Sequence, residues 1–236
     1  MFLPLSAGKR AYTGFPIGTF VIVLVNVLAF VWEEYLLYGY GDLVWFDVIQ
    51  EWGLTPANLV DQVGHGALTA FTSMFLHADL GHIFFNMLYL WVFGPMIEDL
   101  TGSARFVLFY ALCGVAGAAL TVLLDPFSGR PGIGASGAVA GVMGSFLLLY
   151  PGRRVRTLVF VIVPLLPRLP AWLILIYWII QQIVYAEIIL LVGENFTGVG
   201  VWAHIGGFFA GLITVYFFLR KEVMFNRESA LQFSRR

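Results

Sequence analysis

The sequence predicts an all-α integral membrane protein, a bundle of six transmembrane helices. Three observations carry that prediction. Of 236 residues, 60% are hydrophobic and 11% charged, against roughly 25% charged in a soluble domain; the mean hydropathy is +0.87. Six apolar runs, residues 11–32, 80–97, 106–124, 131–152, 169–186 and 195–219, contain no Asp, Glu, Lys or Arg. Each is long enough to cross about 30 Å of hydrocarbon as helix, and none shows the strict apolar–polar alternation of a barrel strand. Finally, the basic residues fall where a single threading of all six runs keeps them on the cytoplasmic side, as Lys and Arg near helix ends require.

The first run is too long for a cleavable signal peptide, and no small-residue cleavage site closes it. It is expected to be a retained helix behind a short cytoplasmic N-terminus, residues 1–14. Residues 34–76 then form a long external loop. Glu33, Glu34, Asp42, Asp47, Glu51, Asp61 and Asp79 occur in a stretch free of Lys and Arg from Arg10 to Arg105, which assigns the acidic segment to the outside. The same loop holds Trp45, Phe46, Ile49, Trp52, Leu54 and Val60, a density that predicts short helices lying in the membrane interface. The remaining helices are joined by short loops at 101–105, 125–134 and 192–201. Residues 157–167 are apolar but short, and Pro164, Pro167 and Pro170 remove donors and break helix. This segment reads as an interfacial lead-in to the fifth helix. A polar tail, residues 221–236, follows the sixth. With the N-terminus inside, every basic residue except Arg130 lies on the cytoplasmic side. The expected molecule is a multi-pass protein of the cell (inner or plasma) membrane, with both termini cytoplasmic and a six-helix domain over residues 15–220. The lone Cys113 lies in an apolar run, so there is neither a disulfide framework nor a thiolate metal site.

Polar groups inside a membrane are expensive, so each needs a reason. In the fourth run, Gly132, Gly134, Ser136, Gly137, Gly141 and Gly144 predict an irregular loop that becomes helix at Ser136. From Ser136 to Pro151 is roughly 22 Å of helix at 1.5 Å per residue, which is short of the bilayer and sets Ser136 below the outer surface. A helix N-terminus offers free N–H groups and partial positive charge, which suits a developing oxyanion. Simple Gly-x-x-x-Gly packing with an incidental serine explains this cluster about as well when it is taken alone. In the sixth run, His204, Gly207 and Gly211 share one stripe, a match for Gly137, Gly141 and Gly144. Close packing of the two stripes would bring His204 to Ser136, giving the hydroxyl the base it needs to become a nucleophile. In the second run, His82 and Asn86 stand four apart on one face, two donors suited to an oxyanion hole or to gluing helices together. His77 and Asp79 are expected to orient the approach to that helix, and Glu98 to stand at its cytoplasmic end.

Together these clusters resemble the rhomboid family of intramembrane serine proteases. Gly134-Ala135-Ser136-Gly137, Ala203-His204-x-Gly-Gly and His82-x-x-x-Asn86 match that family's motifs in order and on the expected helices, and the likeness covers nearly the whole chain. The resemblance implies a Ser136–His204 dyad with no acidic third member. It also implies an oxyanion hole from His82, Asn86 and the Ser136 backbone N–H, with Gly134, Gly137, Gly141, Gly207 and Gly211 packing helices around the site. Substrates would be transmembrane segments of other proteins, cut near their outer ends beside small residues. The implied partners are those substrates and the lipid bilayer; no cofactor, metal or nucleic acid is implied. Two departures matter. The Trp-Arg pair that many relatives carry in the first external loop is Leu68-Thr69 here. The tyrosine that some relatives stack on the histidine is Ala140, so another side chain must hold the His204 ring, with Trp202 and Phe208 as the candidates.

Other chemistries fit less well. A metalloprotease lacks ligands, since there is no His-Glu-x-x-His and the four histidines are scattered. Gly39-Tyr40-Gly41-Asp42 matches a Gly-x-Gly-Asp pattern, but no second intramembrane aspartate shares a proton with Asp42. A catalytically inactive relative that binds client transmembrane helices usually lacks the serine or the histidine. A transporter would carry intramembrane charges or paired broken helices.

Overall fold

The computed structural model describes residues 2–10, 14–61, 63–160, 163–192 and 200–221. The expected tail beyond residue 221, and residues 195–199 of the sixth apolar run, lie outside the described residues. In chain order the elements are strand β1 (Phe2–Ser6), helices α1 (Ile17–Tyr40), α2 (Asp42–Trp52), α3 (Pro56–Asp61) and α4 (Val63–Thr72), a 3-10 turn (Ser73–Phe75), helices α5 (Leu80–Thr101), α6 (Ser103–Leu124) and α7 (Ser136–Leu149), strands β2 (Arg154–Phe160), β3 (Pro164–Leu165) and β4 (Arg168–Pro170), and helices α8 (Ala171–Val192) and α9 (Val201–Phe218). Helices α1, α5, α6, α8 and α9 are long and apolar enough to cross a membrane, and α7 is a shorter apolar helix. In hydrocarbon every backbone N–H and C=O must be satisfied internally, which is why these runs become helix.

Helix α7 is the axis of the bundle. Every residue from Gly137 to Phe146 is buried, enclosed by α5, α6, α8 and α9. Its contact with α9 is made of backbone on both sides. A Cβ added at Gly207 would stand 2.7 Å from the Gly137 carbonyl carbon, and one added at Gly211 would stand 2.6 Å from Gly141 Cα. Gly117 and Gly206 serve the α6–α9 contact in the same way.

Carboxylates tie the start of α1 to the turn between α5 and α6. Glu98 Oε1 accepts from Gly18 N at 2.8 Å and from Ser103 Oγ at 2.6 Å. Its Oε2 accepts from Thr19 N at 2.8 Å and Thr19 Oγ at 2.7 Å. One side chain thereby caps the free N–H groups at the start of α1 and pins the α5–α6 turn. Asp99 beside it pairs with Arg10. Glu98 does more than end a helix.

Two features depart from the sequence reading. First, a small antiparallel sheet accompanies the helical bundle: β2 pairs with β1, β3 and β4. Where the sequence predicts an interfacial lead-in to the fifth helix, residues 157–160 belong to β2 and Pro164–Leu165 form β3. Along β2, Val155 and Thr157 are buried while Arg154 and Arg156 point out, the two-residue period of a strand. The prolines Pro164 and Pro170 fall in the short strands β3 and β4, where a missing ladder donor is tolerated. Arg153 reinforces the sheet, its Nε donating to Ala7 O at 2.8 Å. Second, α1 continues past residue 32 to Tyr40, and Glu33, assigned to the external loop, lies inside that helix fully buried.

The loop before α5 is itself helical, as α2, α3 and α4. It is anchored without a Trp-Arg pair: Thr72 Oγ1 donates to Trp52 O at 2.8 Å, and Ala57 N donates to Ser128 O at 3.1 Å.

Candidate active site

Ser136 opens α7 because the residues ahead of it cannot be helical. Gly134 has φ +120, a conformation that L side chains rarely adopt, and a Cβ there would stand 2.6 Å from His82 Nε2. Only glycine lets the chain turn at that point so close to the imidazole. The loop is fastened on both sides: Gly134 N donates to Ser73 O at 2.8 Å, and Gly132 and Leu54 exchange backbone bonds at 2.8 and 2.9 Å. The first helical bond of α7 runs from Val139 N to Ala135 O, leaving the Ser136 N–H ahead of the ladder. With 14 residues, α7 is about 21 Å long, too short for a bilayer of about 30 Å.

His204 lies in the first turn of α9, and the glycine contact at Gly207 and Gly137 carries it to Ser136. His204 Nε2 and Ser136 Oγ are 2.7 Å apart. The other ring nitrogen, Nδ1, is 2.8 Å from Gln182 Oε1. The Trp178 ring lies 5.6 Å from the imidazole at 43°, with Phe208 behind Trp178 at 6.1 Å. Trp178 and Gln182 of α8, and neither Trp202 nor Phe208, therefore hold the ring in the absence of an aromatic at Ala140.

On α5, Asp79 accepts from His82 N at 2.8 Å and caps the helix. Ala78 N donates to His82 Nδ1 at 3.4 Å, which leaves the ring hydrogen on Nε2. That Nε2 stands 2.6 Å, and Asn86 Nδ2 3.7 Å, from the point where a Gly134 side chain would begin. Asn86 Nδ2 is buried with no hydrogen-bond partner, a donor kept free at a cost. Two donors thus converge beside Ser136. All of these groups line one cavity of about 720 Å³, together with Trp178 and Gln182.

His77 anchors the approach. Its N–H donates to both Glu33 oxygens at 3.1 Å, and its ring meets that of His82 edge-on at 5.1 Å. Burial pushes the His77 imidazole down to about 4. Trp178, Gln182 and Glu33 are the residues that the motifs did not single out.

Residues 64–221 of the chain, more than half of it, match the family model described as Rhomboid domain. The chain belongs to the rhomboid family. It is a multi-pass helical membrane protein of that family. Among its relatives, YdcA of Bacillus subtilis (strain 168), provisionally named a rhomboid protease, is 32% identical over 135 residues, 57% of this chain and 63% of YdcA. Rhomboid protease GluP of the same organism is 31% identical over 134 residues, 57% of this chain and 25% of GluP. Rhomboid protein 1, mitochondrial, of Saccharomyces cerevisiae is 37% identical over 93 residues, 37% of this chain and 27% of that protein. The matches therefore span less than two thirds of each relative's own length.

Proposed function

We propose that this rhomboid family member is an intramembrane serine endopeptidase that cuts transmembrane segments of other proteins near the outer face of the bilayer. The observation that carries this reading is the 2.7 Å contact of Ser136 Oγ with His204 Nε2, set in a cavity that also receives His82 and Asn86. The six-helix domain is residues 15–220. The membrane is the cell (inner or plasma) membrane, with both termini cytoplasmic, the side on which the charge rule keeps Arg and Lys.

In the proposed reaction Ser136 Oγ attacks the scissile carbonyl while its proton passes to His204 Nε2. Negative charge then develops on the carbonyl oxygen. His82 Nε2–H, Asn86 Nδ2–H and the Ser136 N–H are donors within reach of that oxygen, already aimed before substrate arrives. Collapse of the tetrahedral intermediate breaks the C–N bond, and the proton on Nε2 goes to the leaving amine. Water then attacks the Ser136 ester, again with His204 taking its proton, and releases the acyl half. A substrate helix has its amides tied up in its own hydrogen bonds, so it must unwind locally before a carbonyl reaches Ser136. Glycine or other helix-weakening residues near the outer end of the substrate lower that cost.

The test is cleavage of a transmembrane substrate by the purified protein in liposomes. Wild type is expected to cleave, and Ser136→Ala and His204→Ala to be inactive while keeping the wild-type unfolding profile. A fluorophosphonate is expected to label Ser136 and to lose that label in His204→Ala. Undiminished cleavage by Ser136→Ala refutes the assignment. A wild type that neither cleaves nor labels, but captures transmembrane helices, is a client-binding relative instead.

A further inference from the structure

Resting on the reading of Ser136 and His204 as a nucleophile–base pair, we infer that Gln182 is a third member of that group: a positioning residue whose Oε1 fixes the tautomer of His204. A dyad has a weakness that chemistry makes plain. A neutral imidazole carries its hydrogen on either nitrogen, and only the form with a bare Nε2 accepts the Ser136 proton. The opposite tautomer points N–H at Oγ and leaves no base. Something must therefore favour hydrogen on Nδ1.

The orientation of the Gln182 amide follows from its second contact. Gln182 Nε2 lies 3.5 Å from the carbonyl oxygen of Trp178, to which it donates. Turning the amide over would set Oε1 against that carbonyl, acceptor facing acceptor, and aim the NH2 group at His204. The assignment with both contacts satisfied places Oε1 2.8 Å from Nδ1. An amide oxygen is only an acceptor, so Nδ1 holds the hydrogen. Nε2 is then bare, and the Ser136 hydroxyl donates to it at 2.7 Å. The chain Trp178 O, Gln182, His204, Ser136 runs in one donor–acceptor direction throughout.

Burial gives this arrangement its force. Gln182 is 7% exposed, the more buried of two adjacent amides, Gln181 and Gln182, in the middle of an apolar helix. An unpaired amide in that position is costly. Trp178, one turn earlier on α8, lies against the same imidazole. The pair at i and i+4 fixes both the plane of the ring and its protonation pattern from one helix. A neutral amide does this without adding a charge to the membrane interior, as a carboxylate would.

The role is tested with Gln182→Leu, which removes the acceptor at similar size, and Gln182→Glu, which keeps an oxygen there. The protein is reconstituted in liposomes, and kcat and KM are measured for one transmembrane substrate. Gln182→Leu is expected to lose about 10–100-fold in kcat, less than the roughly 100–10,000-fold of a general base because the base is displaced and not removed, with KM changed by less than about threefold. Gln182→Glu is expected to recover most of that loss. Nitrogen-15 NMR of histidine-labelled protein supplies a readout that packing alone does not move. The His204 signals, assigned by their loss in His204→Asn, are expected to report hydrogen on Nδ1 in the wild type and a mixture of tautomers in Gln182→Leu. Hydrogen on Nε2 in the wild type overturns the inference even if no variant folds. If Ser136→Ala and His204→Ala are inactive and Gln182→Leu keeps its kcat, the inference falls and the dyad stands. Cleavage by Ser136→Ala removes the dyad itself.

Discussion

Replacing Gly207 with alanine tests the contact that brings the two reacting side chains together. The new Cβ would stand 2.7 Å from the Gly137 carbonyl carbon and 3.3 Å from Gly137 Cα, with the Gly137 oxygen nearer still. Ordinary contact begins at 3.4 Å, so α9 and α7 must part by at least about 0.7 Å, the difference between 3.4 and 2.7 Å. All the opposing atoms are backbone, and no change of rotamer relieves them. Ser136 precedes Gly137, and His204 lies one turn before Gly207. Most of the displacement therefore falls on the 2.7 Å bond between them, stretching it towards about 3.4 Å, past the range of roughly 2.5–3.0 Å in which a hydroxyl donates well. Overpacking of this kind costs about 1–3 kcal/mol, and a misplacement near 1 Å costs about 100-fold in rate. The assay is the rate of fluorophosphonate labelling of Ser136, with equilibrium unfolding in mixed micelles alongside. Gly207→Ala is expected to label about 10–100-fold more slowly and to lose about 1–3 kcal/mol. Gly64→Ala in α4, where an added Cβ meets nothing within 4 Å, is the control. It is expected to be neutral or up to about 1 kcal/mol more stable. Wild-type labelling and stability in Gly207→Ala would falsify the packing argument.

Three further outcomes are expected. Asn86→Ala should lower kcat by about 100–1,000-fold with little change in KM, since one oxyanion donor is worth that much; steady-state cleavage in liposomes measures it. Glu98→Gln presents an NH2 group to at least one of the donors that Glu98 now accepts, so unfolding in mixed micelles should show a loss on the order of 2–4 kcal/mol. His77 carries a proton below about pH 6.5 in the unfolded chain, but in the folded protein only below about 4. Between those values the unfolded state binds more protons at this side chain, so the His77 contribution to stability should fall as the pH drops from 6.5 towards 4, by at most about 1.4 kcal/mol per pH unit. His77→Leu should flatten that slope.

Much of this molecule could be read from local pattern. Runs of apolar residues longer than a bilayer needs become helices whatever their order, and a glycine loop entering a short helix marks Ser136 from the sequence alone. Matching glycine stripes also pointed to the remote pair Ser136 and His204, but other pairings remote in the chain left no such mark. The alternation of Arg154, Val155, Arg156 and Thr157 carries the period of a strand, but its partner β1 lies some 150 residues earlier in sequence, and the nearby prolines argue against order. Glu33 did leave a local trace. Thr19, Ile22, Asn26, Phe30 and Glu33 are all buried in α1 and recur every three or four residues, a helical stripe that runs straight into the carboxylate. Reading acids by loop charge alone hid it. Gln182 was visible as a polar residue inside an apolar helix, one turn from Trp178, which is reason enough to ask what it binds.

With alanine at position 140, α8 is the helix that holds the His204 ring. Ala140 is fully buried in α7, on the same short helix whose Gly137, Gly141 and Gly144 admit the α9 backbone. An alanine at that position lays no ring against the imidazole. The ring must be held from another side, and α8 supplies Trp178 and Gln182. The two supports of the dyad are therefore unequal in kind. Separation of Ser136 from His204 is set by backbone against backbone between α7 and α9, where nothing yields. The orientation and tautomer of His204 are set by two side chains of α8, a helix whose Ile176, Ile180 and Ile183 are exposed. A shift of α8 relative to α9 would leave the serine and the histidine at the same distance and still remove the base, by freeing the hydrogen on Nδ1 to move.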